Sequence, residues 1–127
     1  MATFSSAEFI EGYIEAFQAF DAARIAAFYN DPCLSIRPDG SLYSFSSKSE
    51  IETFFVAVVE AYRSEGMAFF SASEVHCQAK GAMSASLTCS WAMTRQDGSV
   101  IRTWEQTYMF HRVASHWKII ASVFHQA

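Results

Sequence analysis

Three side chains of this 127-residue chain have types suited to proton transfer: Tyr13, Asp39 and Glu105. Asp39 follows Arg37 and Pro38, so its carboxylate could serve as a base held by the neighbouring guanidinium. Asp39-Gly40 is also turn chemistry by itself, which makes a plain hairpin aspartate the competing reading. Glu105 shares one strand face with Thr103, Thr107 and Met109, while Trp104, Gln106, Tyr108 and Phe110 take the other. On a concave face it would be a desolvated carboxylate with a raised pKa, the profile of a general acid or base; on the outer face it is a solvated side chain. Tyr13 belongs to an apolar helical stripe, so its phenol goes inward. A buried hydroxyl without a partner costs about 1–3 kcal/mol, so a water, a ligand or a polar wall residue must meet it.

Other chemistries find less support. His76, His111, His116 and His125 have no HxxxH or HExxH spacing and no regular link to the cysteines, so no metal is expected. His116 lies beside a turn and His125 near the end, where exposure is ordinary; His76 and His111 are on strands, and a pocket role for either stays open. Cys33, Cys77 and Cys89 are odd in number and widely spaced, which suits reduced thiols packed as small hydrophobes. Trp91, Trp104 and Trp117 read as core or pocket wall. No phosphate-cradling glycine loop accompanies them, and no cofactor is expected.

The bulk numbers narrow the partners. Net charge is −4 and no Lys/Arg cluster is present, which argues against nucleic acid and anionic membranes. The N-terminus lacks a basic region followed by an apolar run, and the most apolar stretch, 54–62, is too short to span a bilayer, so a soluble, cytoplasmic protein is expected. The length suits one domain over 1–127. An aromatic share of 16%, with 12 Phe, implies either a crowded core or a cavity with aromatic walls.

The elements that must position these residues follow from period and punctuation. Ser5 and Glu8 form a capping box flanked by Phe4 and Phe9, predicting a first helix from about Ser6 to Phe20 with Ile10, Tyr13, Ile14 and Phe17 inward. Asp21 caps a second helix carrying Ile25, Phe28 and Tyr29 that stops before Pro32. Residues 33–36 read as a short strand, Asp39-Gly40 as a hairpin turn and 41–45 as the returning strand. Ser47 and Glu50 open a third helix whose stripe of Ile51, Phe54, Phe55, Val58, Val59 and Tyr62 ends at Gly66. From Met67 the period becomes two, with turns at 80–81, 97–98 and 114–115, predicting four long strands in an antiparallel meander. In the second of these Met83, Ala85, Leu87, Cys89, Trp91 and Met93 are inward and Ser84, Ser86, Thr88, Ser90, Ala92 and Thr94 outward. Helices first and strands afterwards mean α+β, with helices on one face of the sheet.

In three places, residues 13–17 with Asp21 and 25–29, residues 51–55, and His116-Trp117-Lys118-Ile119-Ile120, the chain resembles the NTF2-like superfamily, which includes SnoaL-like polyketide cyclases and ketosteroid isomerases. The resemblance implies a cone-like fold in which three N-terminal-half helices pack on a curved, mainly antiparallel sheet around a hollow, and a homodimer formed through the sheet. It places Tyr13 where the isomerases donate a hydrogen bond to a developing oxyanion. It places Arg37 where they carry their proton-moving carboxylate, and a guanidinium stays protonated and cannot be a base. Their second oxyanion donor falls somewhere between Glu105 and Tyr108.

Two functions follow as expectations. One is a binding protein for a small apolar or aromatic molecule, with walls drawn from Tyr13, Phe17, Tyr29, Arg37, Phe55, Trp91, Trp104 and His111. The other is a cofactor-free lyase, isomerase or cyclase with Tyr13 as donor and Asp39, Glu105 or a histidine as base. Whether the chain catalyses anything is left open by its residues.

Overall fold

Helix α1 (Ser6–Gln18) begins where the capping box places it: Glu8 N–H donates to Ser5 Oγ at 3.2 Å. Phe4 and Phe9 both rest on the Phe110 ring, at centroid distances of 4.4 and 4.8 Å, so the residues flanking the cap also pin α1 to the sheet. The helix closes with Phe20 N–H on Phe17 C=O and Asp21 N–H on Ala16 C=O, which places Phe20 in the left-handed region at φ 52°. Asp21 then caps α2 (Ala22–Ala26) through Arg24 N–H.

Helix α2 is shorter than its apolar spacing predicts. Phe28 and Tyr29 are not helical, and Tyr29 opens β1 (Tyr29–Ile36). The reason is tertiary. The last strand, β6 (His116–Phe124), runs parallel to β1, pairs Ile119 with Tyr29 and donates Ile119 N–H to Phe28 C=O at 2.8 Å, which draws the segment into the sheet before the helix can continue.

The turn after β1 is closed by Arg37 N–H on Ser41 C=O and Gly40 N–H on Arg37 C=O, with Gly40 at φ 86°, and leads into β2 (Leu42–Phe45). Ser47 Oγ accepts from Glu50 N–H to start α3 (Lys48–Ser64), and the Glu50 carboxylate reaches back to Ser46 N–H and Oγ. At its far end Gly66, at φ 88°, lets Met67 N–H reach Tyr62 C=O.

The remaining strands β3 (Phe69–Lys80), β4 (Ser84–Thr94) and β5 (Val100–Val113) form with β6 the expected antiparallel meander. The computed structural model describes residues 3–125 and joins the six strands in the order β2-β1-β6-β5-β4-β3, a curved mixed sheet with the three helices packed on it. Register shifts within β3, β4 and β5 pairings bend the strands locally. Ala85, Leu87, Cys89, Trp91 and Met93 of β4 are buried against the helices. Met83, expected inward with them, lies in the turn before β4 and is 51% exposed. Cys77, expected to be buried, is exposed, because the second half of edge strand β3 runs beyond the helices; Cys33 and Cys89 are buried as expected. Among the described residues no helix is long and apolar enough to cross a membrane.

Candidate functional site

The space between α1, β1, α3 and the inner face of β5 and β6 is not filled by side chains. A narrow chamber of about 50 Å³ lies at depth, walled by Tyr13, Phe17, Tyr29, Phe55, Gln106 and Tyr108 among others. A wider mouth of about 630 Å³ adjoins it, bounded by α3 on one side and Trp104, Phe124 and His125 on the other. Arg37, Phe54, Val58, Tyr62, Trp104 and Phe124 belong to both walls, so the two spaces form one funnel.

Its polar groups are few and mostly hydroxyls. Tyr13, carried inward by the apolar stripe of α1, meets the predicted need for a partner in Tyr29: the two Oη atoms are 2.6 Å apart. Trp91 Nε1 donates to Tyr108 Oη at 2.9 Å, and the Tyr108 ring lies against that of Tyr13, with centroids 5.9 Å apart. Burial pushes all three phenols above their ordinary pKa, and for Tyr13 the neighbouring Tyr108 and Tyr29 push the same way. At neutral pH they are uncharged donors and acceptors. Gln106, only 4% exposed, accepts from Trp104 Nε1 at 3.0 Å, which leaves its amide N–H groups without a protein partner among the described residues. Ser122 Oγ donates to Ser35 Oγ at 3.3 Å.

At the junction of chamber and mouth sits Arg37. Its guanidinium carbon is 4.5 Å from the centroid of Phe124, 5.2 Å from Tyr43 and 5.4 Å from Phe54. The other cation of the mouth, Arg102, is paired with Glu65 at 2.6 Å.

Tyr13, Phe17, Tyr29, Arg37, Phe55 and Trp104 are thus brought together as walls. Trp91 is buried behind them, bonded to Tyr108 and packed on the rings of Phe70 and Tyr13 at centroid distances of 4.6 and 5.6 Å. The two candidate bases stand elsewhere. Asp39 is exposed in the hairpin turn, where its Oδ1 accepts from Ser41 N–H and Oγ–H at 2.9 and 2.7 Å, and those bonds hold its carboxyl below the usual range. Glu105 is on the outer face with a side chain 59% exposed, 3.5 Å from His125 Nδ1. The register that turns Trp104, Gln106, Tyr108 and Phe110 inward also turns His111 outward, opposite Ser84 and Lys118. Among the described residues no cluster of His, Cys, Asp and Glu could hold a metal ion.

Gln106 and Tyr108 lie within the interval where the sequence reading expects a second oxyanion donor without choosing one; their alternation with Trp104 and Phe110 was the available signal. Ser35, Ser122 and Phe124 carried no comparable signal, because nothing local distinguishes the inner face of β1 or β6.

Three helices on a curved sheet, closing an aromatic funnel, define an α+β protein of the cystatin-like kind. The chain belongs to the NTF2-like proteins: residues 5–127 match the family described as NTF2-like protein (DUF6841). Among curated proteins none matches the sequence. Solved structures with the same fold include an NTF2-like protein from Novosphingobium aromaticivorans, 13% identical with a TM-score of 0.77, over 94% of this chain and 77% of that one. A protein of unknown function with a cystatin-like fold from Nostoc punctiforme is 11% identical with a TM-score of 0.76, over 98% and 94% of the two chains. A proposed dehydratase of the NTF2-like family from Streptomyces avermitilis is 13% identical with a TM-score of 0.69, over 97% and 99%. At such identities the likeness is one of fold.

Proposed function

We propose that this protein binds a small apolar or aromatic molecule in the funnel, and that binding rather than proton transfer is its activity. One observation carries the reading: among the described residues the chamber wall holds hydroxyls, an amide and a guanidinium but no carboxylate and no imidazole, and the two such groups of the mouth are already engaged, Glu65 with Arg102 and His125 with Thr107 Oγ1. A general base must come within hydrogen-bond reach of the proton it takes, and Asp39 and Glu105 face solvent instead. The phenols of Tyr13 and Tyr29, neutral and paired with each other, are suited to orienting a ligand by one or two hydrogen bonds inside an apolar enclosure.

Two copies would associate through the outer face of the sheet, where Ser84, Ser86, Thr88 and Ser90 are short enough for a second sheet to approach. The unpaired cysteines support a cytoplasmic setting.

The test is a titration with neutral aromatic compounds of one and two rings, monitored by calorimetry. Saturable binding is expected, and Val58→Trp, which narrows the passage between mouth and chamber, should abolish it while thermal melting stays cooperative. Equal binding by Val58→Trp, or none by the native chain, would sink the proposal.

A further inference from the structure

We infer that the ligand of this pocket is an organic carboxylate with an apolar or aromatic body, and that Arg37 receives its anionic group. The inference rests on the pocket reading above and adds a charge to it. Arg37 lines both the chamber and the mouth, so anything seated in the funnel passes its guanidinium. Three rings from three elements hold it there: Tyr43 of β2, Phe54 of α3 and Phe124 of β6. Such contacts favour the cation but leave its N–H donors unused, because a ring face attracts the charge without accepting the fork of hydrogen bonds that a guanidinium offers.

Nothing else among the described residues uses those donors. Among the described residues Arg37 makes no side-chain hydrogen bond and no ion pair, although the chain carries 13 acidic residues against 9 basic ones. The acid nearest in sequence, Asp39, is committed to Ser41. Arg102, in the same mouth, provides the contrast: its charge is already met by Glu65. Among the described residues one cation of the funnel is therefore paired within the protein, and the other has its donors free for a guest.

The surroundings define the rest of that guest. A planar guanidinium edge matches a carboxylate through two parallel N–H···O bonds. Phe54, Val58 and Tyr62 on one side and Trp104 on the other offer a slot for a flat apolar body, and the mouth, at about 630 Å³, has room for it. The chamber, at about 50 Å³, admits only a small tip, for which the Gln106 amide and the Tyr13–Tyr29 pair are the polar contacts.

Calorimetry with 2-naphthoate and its uncharged isostere 2-naphthamide, at pH 7, tests this. The native chain should hold the carboxylate about tenfold or more tightly than the amide, as expected for a charge-assisted bond. In Arg37→Gln the ratio of the two affinities should fall to about twofold or less, whatever the change in affinity for the amide itself, and Arg37→Lys should restore part of the preference. The preference of the native chain should also shrink between low and high salt, a readout that needs no variant to fold. Equal affinities in the native chain would overturn the charge assignment and leave the pocket reading standing. A preference that survives in Arg37→Gln would move the anion site away from Arg37. Binding of neither compound up to millimolar concentration would overturn both readings.

Discussion

The Tyr13–Tyr29 pair is the residue-scale feature on which the chamber depends. A 2.6 Å contact joins the buried phenol of Tyr13 to the partly buried phenol of Tyr29, so removing one hydroxyl takes the other's partner away. Tyr13→Phe is expected to cost about 1–3 kcal/mol of stability, measured by urea unfolding, and Tyr29→Phe a similar amount. The double variant should lose less than the sum by about 1 kcal/mol, because nothing is then left unpaired. Strict additivity would show that the two hydroxyls do not depend on each other. A second prediction separates the funnel from the carboxylates once considered as bases. Asp39→Asn and Glu105→Gln should each leave the binding of a neutral aromatic compound within about twofold of the native chain, since neither side chain lines the chamber. A tenfold loss with either would mean that it reaches the ligand.

At the scale of elements, α3 sets the width of the mouth. Its position depends on both ends: Ser47 fixes the start, and Gly66 allows the turn that brings Met67 back to Tyr62. Gly66 has φ 88°, and a Cβ there would meet only Arg95 at 3.6 Å, so the cost of a side chain is conformational rather than steric. Gly66→Ala should therefore destabilise the fold by about 1–2 kcal/mol, read from denaturant midpoints at unchanged m-value. An unchanged midpoint would mean that the helix end is not held in this conformation. Strand β1 shows the opposite dependence. Ile25, Phe28 and Tyr29 have helical spacing, yet β6 takes Tyr29 into the sheet, and that exchange is what brings the second hydroxyl to Tyr13.

The whole molecule should be sensitive to alkali. Burial pushes the Cys33 thiol up to about 11 and Cys89 up to about 12, and raises the phenols of Tyr13, Tyr29 and Tyr108 above their usual value. For each, the folded chain keeps its proton at a pH where the unfolded chain has released it, so stability falls as pH rises. The contribution is fully present below the ordinary thiol value of 9.0 and is lost through the folded values of about 11 and 12, at up to about 1.4 kcal/mol per pH unit for each group. Melting temperature should hold level from pH 7 to 8 and drop steadily above pH 9; a level profile to pH 11 would contradict the burial of these groups. Association through the outer face is tested at the same scale. Sedimentation equilibrium at micromolar concentration should give twice the mass of the chain, and Ser86→Arg with Ser90→Arg should reduce it to one. A monomer mass for the native protein would end that proposal.

How much of this was legible in the residues depends on the reach of each interaction. Helix starts at Ser5 and Ser47, the stop at Gly66, the hairpin at Asp39-Gly40 and the alternation of β4 are set by contacts within a few residues, and each was readable without coordinates. Tyr13 facing inward belongs with them, since its neighbours on α1 share its face. What the sequence left undecided, or placed wrongly, lies where a distant strand overrides a local reading. Spacing puts Tyr29 in the second helix, and pairing with β6, from the other end of the chain, takes it into the sheet instead. Both faces of β5 alternate, so whether Glu105 or Gln106 points inward depends on its register with β4 and β6. The surroundings of Arg37 lay furthest from view: its three rings come from β2, α3 and β6, and no pattern along the chain records that folding would bring them around one charge.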